Sequence, residues 1–248
     1  MIIMKSRYEI DLMREAGKVV AACHAGLADF IKPGVTTGQI DTFVESFIER
    51  HGMTPAQKGY KGYPYAACTS VNDVICHGFP GDYVLKDGDI ITVDMVALHK
   101  GLHADSAWSY AVGNVSPEAM RLLEVTKKSL FVGIEQAVVG NQISDIGHAI
   151  QTYVEAEGLS VVRDFIGHGI GRDMHESPEV LHYGPPHKGP RIRRGMTFTI
   201  EPMVNTGSYE TTVDADGWTA RTVDGSLSTQ YEHTLYITDN GPEILTQL

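Results

Sequence analysis

The sequence predicts a mixed α/β (α+β) protein of two pseudo-symmetric halves, each with a pair of helices followed by strands. The first observation is a pair of amphipathic helices that occurs twice along the chain. A shift of 106 residues superposes equivalent positions of the two pairs: Gly34 on Gly140, Ile40 on Ile146, Val44 on Ile150, Ile48 on Val154 and Gly52 on Gly158. The same shift brings Asp94 to within one residue of Glu201. Chance matching of apolar positions is the alternative, but the paired glycines and the two acidic strands favour a duplication.

The four helices are predicted from signals at their ends. Ser6 followed by Glu9 has the form of a capping box, and Ser116-Pro117 combines an N-cap with a proline in the first turn. Glycines close the helices on the other side. The predicted helices run from Ser6 to about Ile31, from near Thr37 to Gly52, from Ser116 to Gly140 and from near Ser144 to Gly158.

Residues 90–110 predict a hairpin that carries two aspartates, and residues 57–81 before it predict loops around short strands. If His99 and Lys100 form a two-residue turn, Asp94 lies directly opposite Asp105 and on the same face. Two buried carboxylates so placed repel, unless one keeps its proton or a cation lies between them. An exposed hairpin with two solvated aspartates is the alternative.

Two further acidic residues lie in strand-like settings of the second half. Glu201 follows an apolar run within residues 196–205, and Glu232 lies within residues 228–238. Acidic residues in apolar strands are costly unless they are paired or bound to a cation. One such residue is easily explained as a satisfied core carboxylate. Four of them, with Asp94 and Asp105, instead indicate a cation site, and two divalent ions bridged by carboxylates are a recurring hydrolytic device.

Two histidines lie beside glycine turns, and a third follows one of them closely. His168 is set among glycines in residues 165–180, where a phosphate loop is the alternative, but GK[ST] and GxGxxG are both missing from the segment. His175 follows seven residues later, a spacing of neither HExxH nor a zinc finger. His77 directly follows Cys76; a Cys–His nucleophile pair is disfavoured because sequence neighbours rarely face each other.

Composition limits the class of protein. The chain has 248 residues, 42% hydrophobic and 21% charged, which is ordinary for a globular protein with a sizeable core. A net charge of -11 without a run of Lys or Arg argues against nucleic-acid and anionic-membrane surfaces. Three cysteines without CxxC spacing and the lack of a signal-peptide pattern predict a cytoplasmic protein without disulfides.

Over almost its full length the chain resembles the type I methionine aminopeptidases. The resemblance rests on YKGYP, NDVICHG, VDMVALHKGLHAD, GHGIG with MHESP, MTFTIEP and DGWTARTVDGSLSTQYEHT. It implies a pita-bread fold, in which two pseudo-symmetric halves surround a central antiparallel sheet and a dinuclear metal site. It also implies a single catalytic domain, 1–248, with halves of about 1–115 and 116–248. Met174, Gln57 and Ala104 depart from residues common among the relatives.

The resemblance further implies the residues of the site. Asp94, Asp105, His168, Glu201 and Glu232 would hold two divalent ions, Co, Mn, Fe(II) or Zn, with Asp105 and Glu232 bridging. A hydroxide would attack the first peptide bond of an unblocked chain, Glu201 would relay the proton, His175 would donate to the carbonyl oxygen, and His77 would contact the leaving nitrogen. The expected methionine pocket consists of Tyr60, Tyr63, Cys68, Met174 and Trp218.

The expected activity is removal of the N-terminal methionine when the second residue is small. The expected partners are N-termini of nascent polypeptides at the ribosome, with no nucleic acid and no membrane, and the expected state is a monomer. A prolidase or aminopeptidase P is the alternative enzyme, although those relatives usually carry a domain ahead of the ligands. A non-catalytic pita-bread binding protein is the second alternative, although such proteins typically lose ligands.

Overall fold

The computed structural model describes residues 1–247, and its helices begin where their signals predict, although the third ends at Gln136 rather than at Gly140. The four helices of this range are α1 (Arg7–Phe30), α2 (Thr37–Arg50), α3 (Pro117–Gln136) and α4 (Ile143–Ala156). The Ser6 hydroxyl accepts the N–H of Glu9 while Glu9 accepts the N–H of Ser6, so the predicted capping box is formed. The Ser116 hydroxyl caps α3 by accepting the N–H of Ala119.

Short strands fill the space between the two helix pairs. They are β1 (Thr54–Pro55), β2 (Ala67–Val71), β3 (Val74–Cys76), β4 (Ile90–His99), β5 (Leu102–Ala111), β6 (Ser160–Val161), β7 (Gly167–Gly169), β8 (Glu176–Val180), β9 (Thr197–Ile200), β10 (Met203–Asn205), β11 (Thr211–Val213), β12 (Ala220–Thr222), β13 (Ser228–Gln230), β14 (His233–Thr238) and β15 (Gly241–Ile244). A single turn of 3₁₀-helix at Tyr60–Gly62 lies in the predicted loop region.

The strands form antiparallel sheets. β4 pairs with β5 along its whole length and with β2 and β1 on its other edge. The largest sheet has the order β15-β14-β9-β7-β8, and two smaller ones have the orders β13-β10-β6 and β11-β12-β3. The fold is therefore a mixed α/β (α+β) arrangement with antiparallel β-structure at its centre.

The predicted register of the aspartate hairpin is wrong by two residues. Lys100 and Gly101, not His99 and Lys100, form the turn, and both have positive φ, 48° and 83°. Those angles are the ones a two-residue hairpin turn of the favoured hand requires, and glycine adopts them at no cost. Asp94 consequently faces Ala107, and Asp105 faces Val96. Because side chains alternate with period two, the two aspartates stay on one face. They are diagonal neighbours, with Cα atoms about 7–8 Å apart.

Each helix pair covers its own strands. Helices α1 and α2 pack on β2, β4 and β5 in one hydrophobic cluster, and α3 and α4 pack on β9, β13 and β14 in another. Hydrogen bonds join the two halves at the centre: Ser109 Oγ donates to the Gln230 carbonyl, and the N–H of Glu232 donates to the carbonyl of Ala107. The strands that carry acidic residues thus meet where the halves meet.

Among residues 1–247, no helix is long and apolar enough to cross a membrane.

Candidate metal centre

A cavity of about 300 Å³ opens between the two halves. Every side chain that the sequence singled out lines it: Tyr60, Tyr63, Cys68, His77, Asp94, Asp105, His168, Met174, His175, Glu201, Trp218 and Glu232. These residues come from positions spread over more than 170 residues of sequence. The fold therefore gathers the predicted acids, imidazoles and pocket side chains around one space.

The five predicted ligands reach the cavity from five strands or strand ends. Asp94 and Asp105 come from β4 and β5, and His168 is the middle residue of β7. The glutamates were expected within strands, but Glu201 directly follows the end of β9 and Glu232 directly precedes β14. At these breaks the backbone leaves its ladder, and the Glu232 N–H donates instead to Ala107 of the other half. The breaks let both carboxylates turn into the cavity.

The ligand atoms are close to one another. His168 Nε2 lies 3.6 Å from Glu201 Oε1 and 3.8 Å from Asp105 Oδ2. One ligand atom each from Asp105, His168 and Glu232 lie within 4.8 Å of one another. Asp94 and Asp105 are near enough to shift each other's pKa, and Glu201 and Glu232 likewise influence each other. This is a compact cluster of four carboxyl groups and one imidazole.

Several carboxyl oxygens of the cluster lack a partner. Asp94 Oδ1, Asp105 Oδ1 and Glu232 Oε1 are buried and accept no hydrogen bond within the part of the chain that the structure describes. Buried polar atoms in native proteins are otherwise nearly always paired. A cation between the carboxyl groups would satisfy all three atoms and cancel their repulsion. Carboxylate oxygens with one imidazole suit hard to borderline divalent ions such as Mn, Fe(II), Co or Zn, so the residues present fit a metal centre.

The backbone fixes which nitrogen of His168 faces the carboxylates. Its Nδ1 lies 3.0 Å from the carbonyl of Gly169, and a carbonyl accepts only. Nδ1 therefore carries the proton, and Nε2 presents its lone pair to Asp105 and Glu201. Burial also lowers the pKa of His168 to about 4, which keeps the ring neutral at physiological pH. A neutral imidazole oriented by a carbonyl is the usual form of a metal-binding histidine.

Aromatic residues and two histidines form the mouth of the cavity. The His175 ring packs against the His168 ring at a tilt of 38°, with 4.1 Å between centroids, and its Nδ1 lies 2.8 Å from the Tyr60 hydroxyl. On the other side, His77 packs edge-on against Phe165 and Trp218 at 5.4 and 6.0 Å. Both imidazoles point into the space above the ligand cluster, where a bound molecule would meet them.

The model of metallopeptidase family M24 matches residues 11–239 of the chain. The chain belongs to metallopeptidase family M24. It is 51% identical over 248 residues to methionine aminopeptidase 1 of Bacillus subtilis, with 100% of both chains covered. The crystal structure of a methionine aminopeptidase from Thermotoga maritima matches with a TM-score of 0.99, 43% identity and full coverage of both chains. A prolidase from Pyrococcus furiosus has the same fold at 19% identity, with a TM-score of 0.81 and 66% of that chain covered. The predicted pita-bread fold is confirmed.

Sequence inspection missed the residues that hold the predicted ligands in place. Thr199 donates to Glu201 Oε1 at 2.7 Å and accepts the N–H of His168 at 3.0 Å. Thr234 accepts the N–H of Asp105 and donates to its carbonyl. Each threonine lies two positions from a glutamate, which in a strand places both side chains on one face. That spacing was the available signal for both.

Part of the wall of the M24 cavity was also missed. Phe165, Ile166, Met203 and Gln230 line it, and Gln230 Nε2 donates to Glu201 Oε2 at 3.3 Å. Cys76 lines the cavity too, but burial, with added repulsion from Glu201, raises the pKa of its thiol well above the usual value. A protonated buried thiol is a wall residue rather than a nucleophile.

Burial raises the pKa of every acid in the M24 centre when no cation is present. The pKa of Asp94 rises to about 6 and that of Glu201 to about 8, mainly because their carboxyl groups are buried. The pKa values of Asp105 and Glu232 rise well above the usual range, first through burial and then through the charges of neighbouring acids. Metal binding must displace these protons, so metal affinity increases with pH.

These shifts predict how the stability of the chelated protein depends on pH. Between about pH 7.5 and 8.5 the buried histidines are nearly all neutral in both states, whereas the folded Glu201 still holds part of a proton that the unfolded chain has lost. The folded state therefore binds more protons, and the free energy of unfolding should fall as the pH rises. Urea unfolding of chelated wild type and of Glu201→Gln measures this: the variant should show the shallower slope. A wild-type unfolding free energy that is constant or rises across this window would contradict the assignment.

Proposed function

We propose that this M24 metallopeptidase is a methionine aminopeptidase that removes the N-terminal methionine from polypeptides whose second residue is small. The observation that carries the proposal is the convergence of four carboxyl groups and an oriented imidazole at the floor of a cavity with an aromatic wall. Relatives of that name match the chain over its entire length. The likeness to the prolidase concerns the fold alone.

In this proposal two divalent metal ions per chain would be held by five side chains, Asp94, Asp105, His168, Glu201 and Glu232, of which Asp105 and Glu232 would be shared by both ions. The unpaired oxygens of Asp94, Asp105 and Glu232 support this set, and so does the Nε2 lone pair of His168. When bound, such ions lower the pKa of water and polarise the scissile carbonyl. Thr199 and Thr234 keep the surrounding ligands in place through their hydrogen bonds.

Three residues of the chain handle protons and the developing charge. Glu201 receives a proton from the attacking water and passes it to the leaving amine, which its central position beside His168 and Glu232 permits. Burial and neighbouring positive groups lower the pKa of His175 to about 3, so its ring is neutral. With the Tyr60 O–H donating to Nδ1, the Nε2–H of His175 is free to donate to the carbonyl oxygen. His77 contacts the leaving nitrogen.

The methionine side chain of the substrate packs against a wall formed by five residues, Tyr60, Tyr63, Cys68, Met174 and Trp218. Tyr63, Cys68 and Met174 are buried, and the Tyr63 ring packs edge-on against Trp218 at 5.1 Å. An apolar, polarisable surface of this kind suits an unbranched thioether. The Gln57 side chain lines the same cavity, so the wall of the pocket also contains an amide group.

The whole chain acts as one catalytic domain, with halves of about 1–115 and 116–248. It acts in the cytoplasm. It meets N-termini of nascent polypeptides at the ribosome and works as a monomer. Supporting this arrangement, the ligand set draws on both halves, with Asp94 and Asp105 from the first and the other three ligands from the second. Neither half alone carries a complete centre.

A peptide panel tests the function and its selectivity. Met-Ala peptides should be trimmed, whereas Ala-Pro and Xaa-Pro-Xaa peptides, which a prolidase or aminopeptidase P would cut, should not. Met-Lys and Met-Leu peptides should be trimmed at least about 10-fold more slowly than Met-Ala peptides, because a bulky second residue clashes with the wall at His77. Liquid chromatography of released methionine measures the kcat/KM of each peptide. Equal rates for Met-Leu and Met-Ala would contradict the pocket, and cleavage confined to proline peptides would contradict the function.

A further inference from the structure

A buried ion pair holds the turn that carries Met174 and His175. Lys5 Nζ donates to Glu176 Oε2 at 2.5 Å and to the carbonyl of Ile3 at 3.1 Å. The exposed fractions of the two side chains are only 1% for Lys5 and 5% for Glu176. Lys and Glu are almost never this buried unless they are paired, and a buried pair is weak evidence for stability. The role of this ion pair therefore lies in the segment that it holds in place.

Glu176 links the pair to the turn itself. While Oε2 accepts from Lys5, Oε1 accepts the N–H of Asp173 at 3.2 Å. The carboxylate thus closes the loop over the two residues between, Met174 and His175. Glu176 is also the first residue of β8, and its backbone pairs with Gly169, the neighbour of His168. One carboxylate therefore connects the N-terminal segment with the mouth of the cavity.

The other end of the turn is fixed at Gly171. The Lys5 stem lies directly against this glycine, since a Cβ there would come within 1.9 Å of Lys5 Cε. The Gly171 carbonyl accepts two hydrogen bonds from His103, one from its backbone N–H and one from Nδ1, both at 2.9 Å. Lys5 therefore touches the segment at both ends, with Met174 and His175 directed into the cavity between them.

We infer that Lys5 and Glu176 are positioning residues for His175, setting the placement of its imidazole at the reacting carbonyl. The inference rests on the proposed function, since it assigns the effect to the proposed contact of His175. A second, exposed ion pair offers a natural comparison: Arg172 donates to Glu9 at 2.8 Å, but the Arg172 side chain is 66% exposed. Exposed pairs contribute little, so this one does not share the role.

Lys5→Met tests the inference because it keeps a stem against Gly171 and removes the ammonium group. The expected result is a kcat on Met-Ala peptides lower by about 10- to 100-fold, since small misplacements of a catalytic group have effects of this size. The KM and the metal affinity should change less than about twofold, because the lost contact belongs to the transition state. Arg172→Ala is the matched control and should retain wild-type kcat. All rates are referred to folded, metal-loaded protein.

A double-mutant cycle with His175→Ala separates positioning from a general structural role. If Lys5 acts through His175, Lys5→Met should lower kcat less than about twofold further in the His175→Ala background. Losses that multiply, or a metal affinity that weakens with kcat, would overturn the inference. Should Lys5→Met not fold, Glu176→Gln replaces it in the same cycle, since the amide keeps an acceptor for Asp173 and leaves no unpaired carboxylate.

Imidazole NMR of the chelated protein provides a readout independent of activity. The ¹⁵N signals of His175 should shift or broaden in Lys5→Met and remain unchanged in Arg172→Ala. An unchanged His175 signal in Lys5→Met would overturn the inference even if kcat fell. A wild-type protein that releases no methionine would contradict the proposed function, while the NMR comparison would still decide whether Lys5 positions His175.

Discussion

Exhaustive chelation is expected to abolish methionine release, and a divalent transition metal is expected to restore it. Four buried carboxyl groups and the Nε2 lone pair of His168 converge in the cavity, and three of the carboxyl oxygens have no other partner. Without the cation, burial raises the pKa of Glu201 to about 8, so this carboxyl group holds a proton at neutral pH. Because the water is then no longer activated, we expect kcat/KM on Met-Ala peptides to fall at least about 1000-fold.

The control for chelation is protein dialysed without chelator and assayed in parallel. Readdition of Mn, Fe(II), Co and Zn in separate samples then shows which ions restore the rate. Mg should restore it poorly, because an imidazole ligand favours the transition metals. Full activity after chelation, with no metal detected by elemental analysis, would be incompatible with this site.

Substitution of His168 and of His175 should have different consequences although their rings lie 4.1 Å apart. His168→Ala removes a proposed ligand, so the variant should bind metal more weakly and regain part of its activity at higher metal concentration. His175→Ala should keep its metal but stabilise the developing oxyanion less well. The loss of one such donor lowers turnover by roughly 100- to 1000-fold.

Metal stoichiometry and kcat measured side by side on both variants test this pair of roles. Tyr60→Phe is a useful third variant, since it removes only the hydroxyl that contacts His175 Nδ1 and should reduce kcat without releasing metal. The assignment of the two histidines is reversed if His175→Ala loses metal while His168→Ala retains it.

Local signals were sufficient to predict the helices, because the end of a helix is determined by a few adjacent residues. Ser6 with Glu9, and Ser116 before Pro117, are complete capping patterns that can be recognised without knowledge of the rest of the fold. The cluster of acids was predictable for a related reason, since a carboxylate within an apolar stretch is costly enough to require a partner.

The hairpin shows why a register error did not damage the prediction of the site. The turn was placed one residue too early because Lys100, unlike Gly101, carries no sign in the sequence of its positive φ. Moving the turn by one residue changes the pairing by two, and a change of two preserves the face of every side chain. Asp94 and Asp105 therefore remained neighbours, although diagonal rather than opposite.

What the sequence could not reveal depends on long-range contacts. Lys5 and Glu176 are 171 residues apart, and neither residue carries a local sign that the other will bury its charge. The break that turns Glu232 into the cavity likewise depends on the other half, because the Glu232 N–H donates to the carbonyl of Ala107. Contacts of this kind become visible only when the two halves are placed together.

A metal titration of chelated protein, followed by methionine release from a Met-Gly-Ser peptide and by equilibrium binding, tests the central claim most directly. We predict that activity rises with bound metal and saturates at no more than two ions per chain. Glu232→Gln, which removes a proposed bridging carboxylate, should bind fewer ions and remain inactive at saturation. Activity that is independent of bound metal, or an active Glu232→Gln with unchanged stoichiometry, would contradict the account.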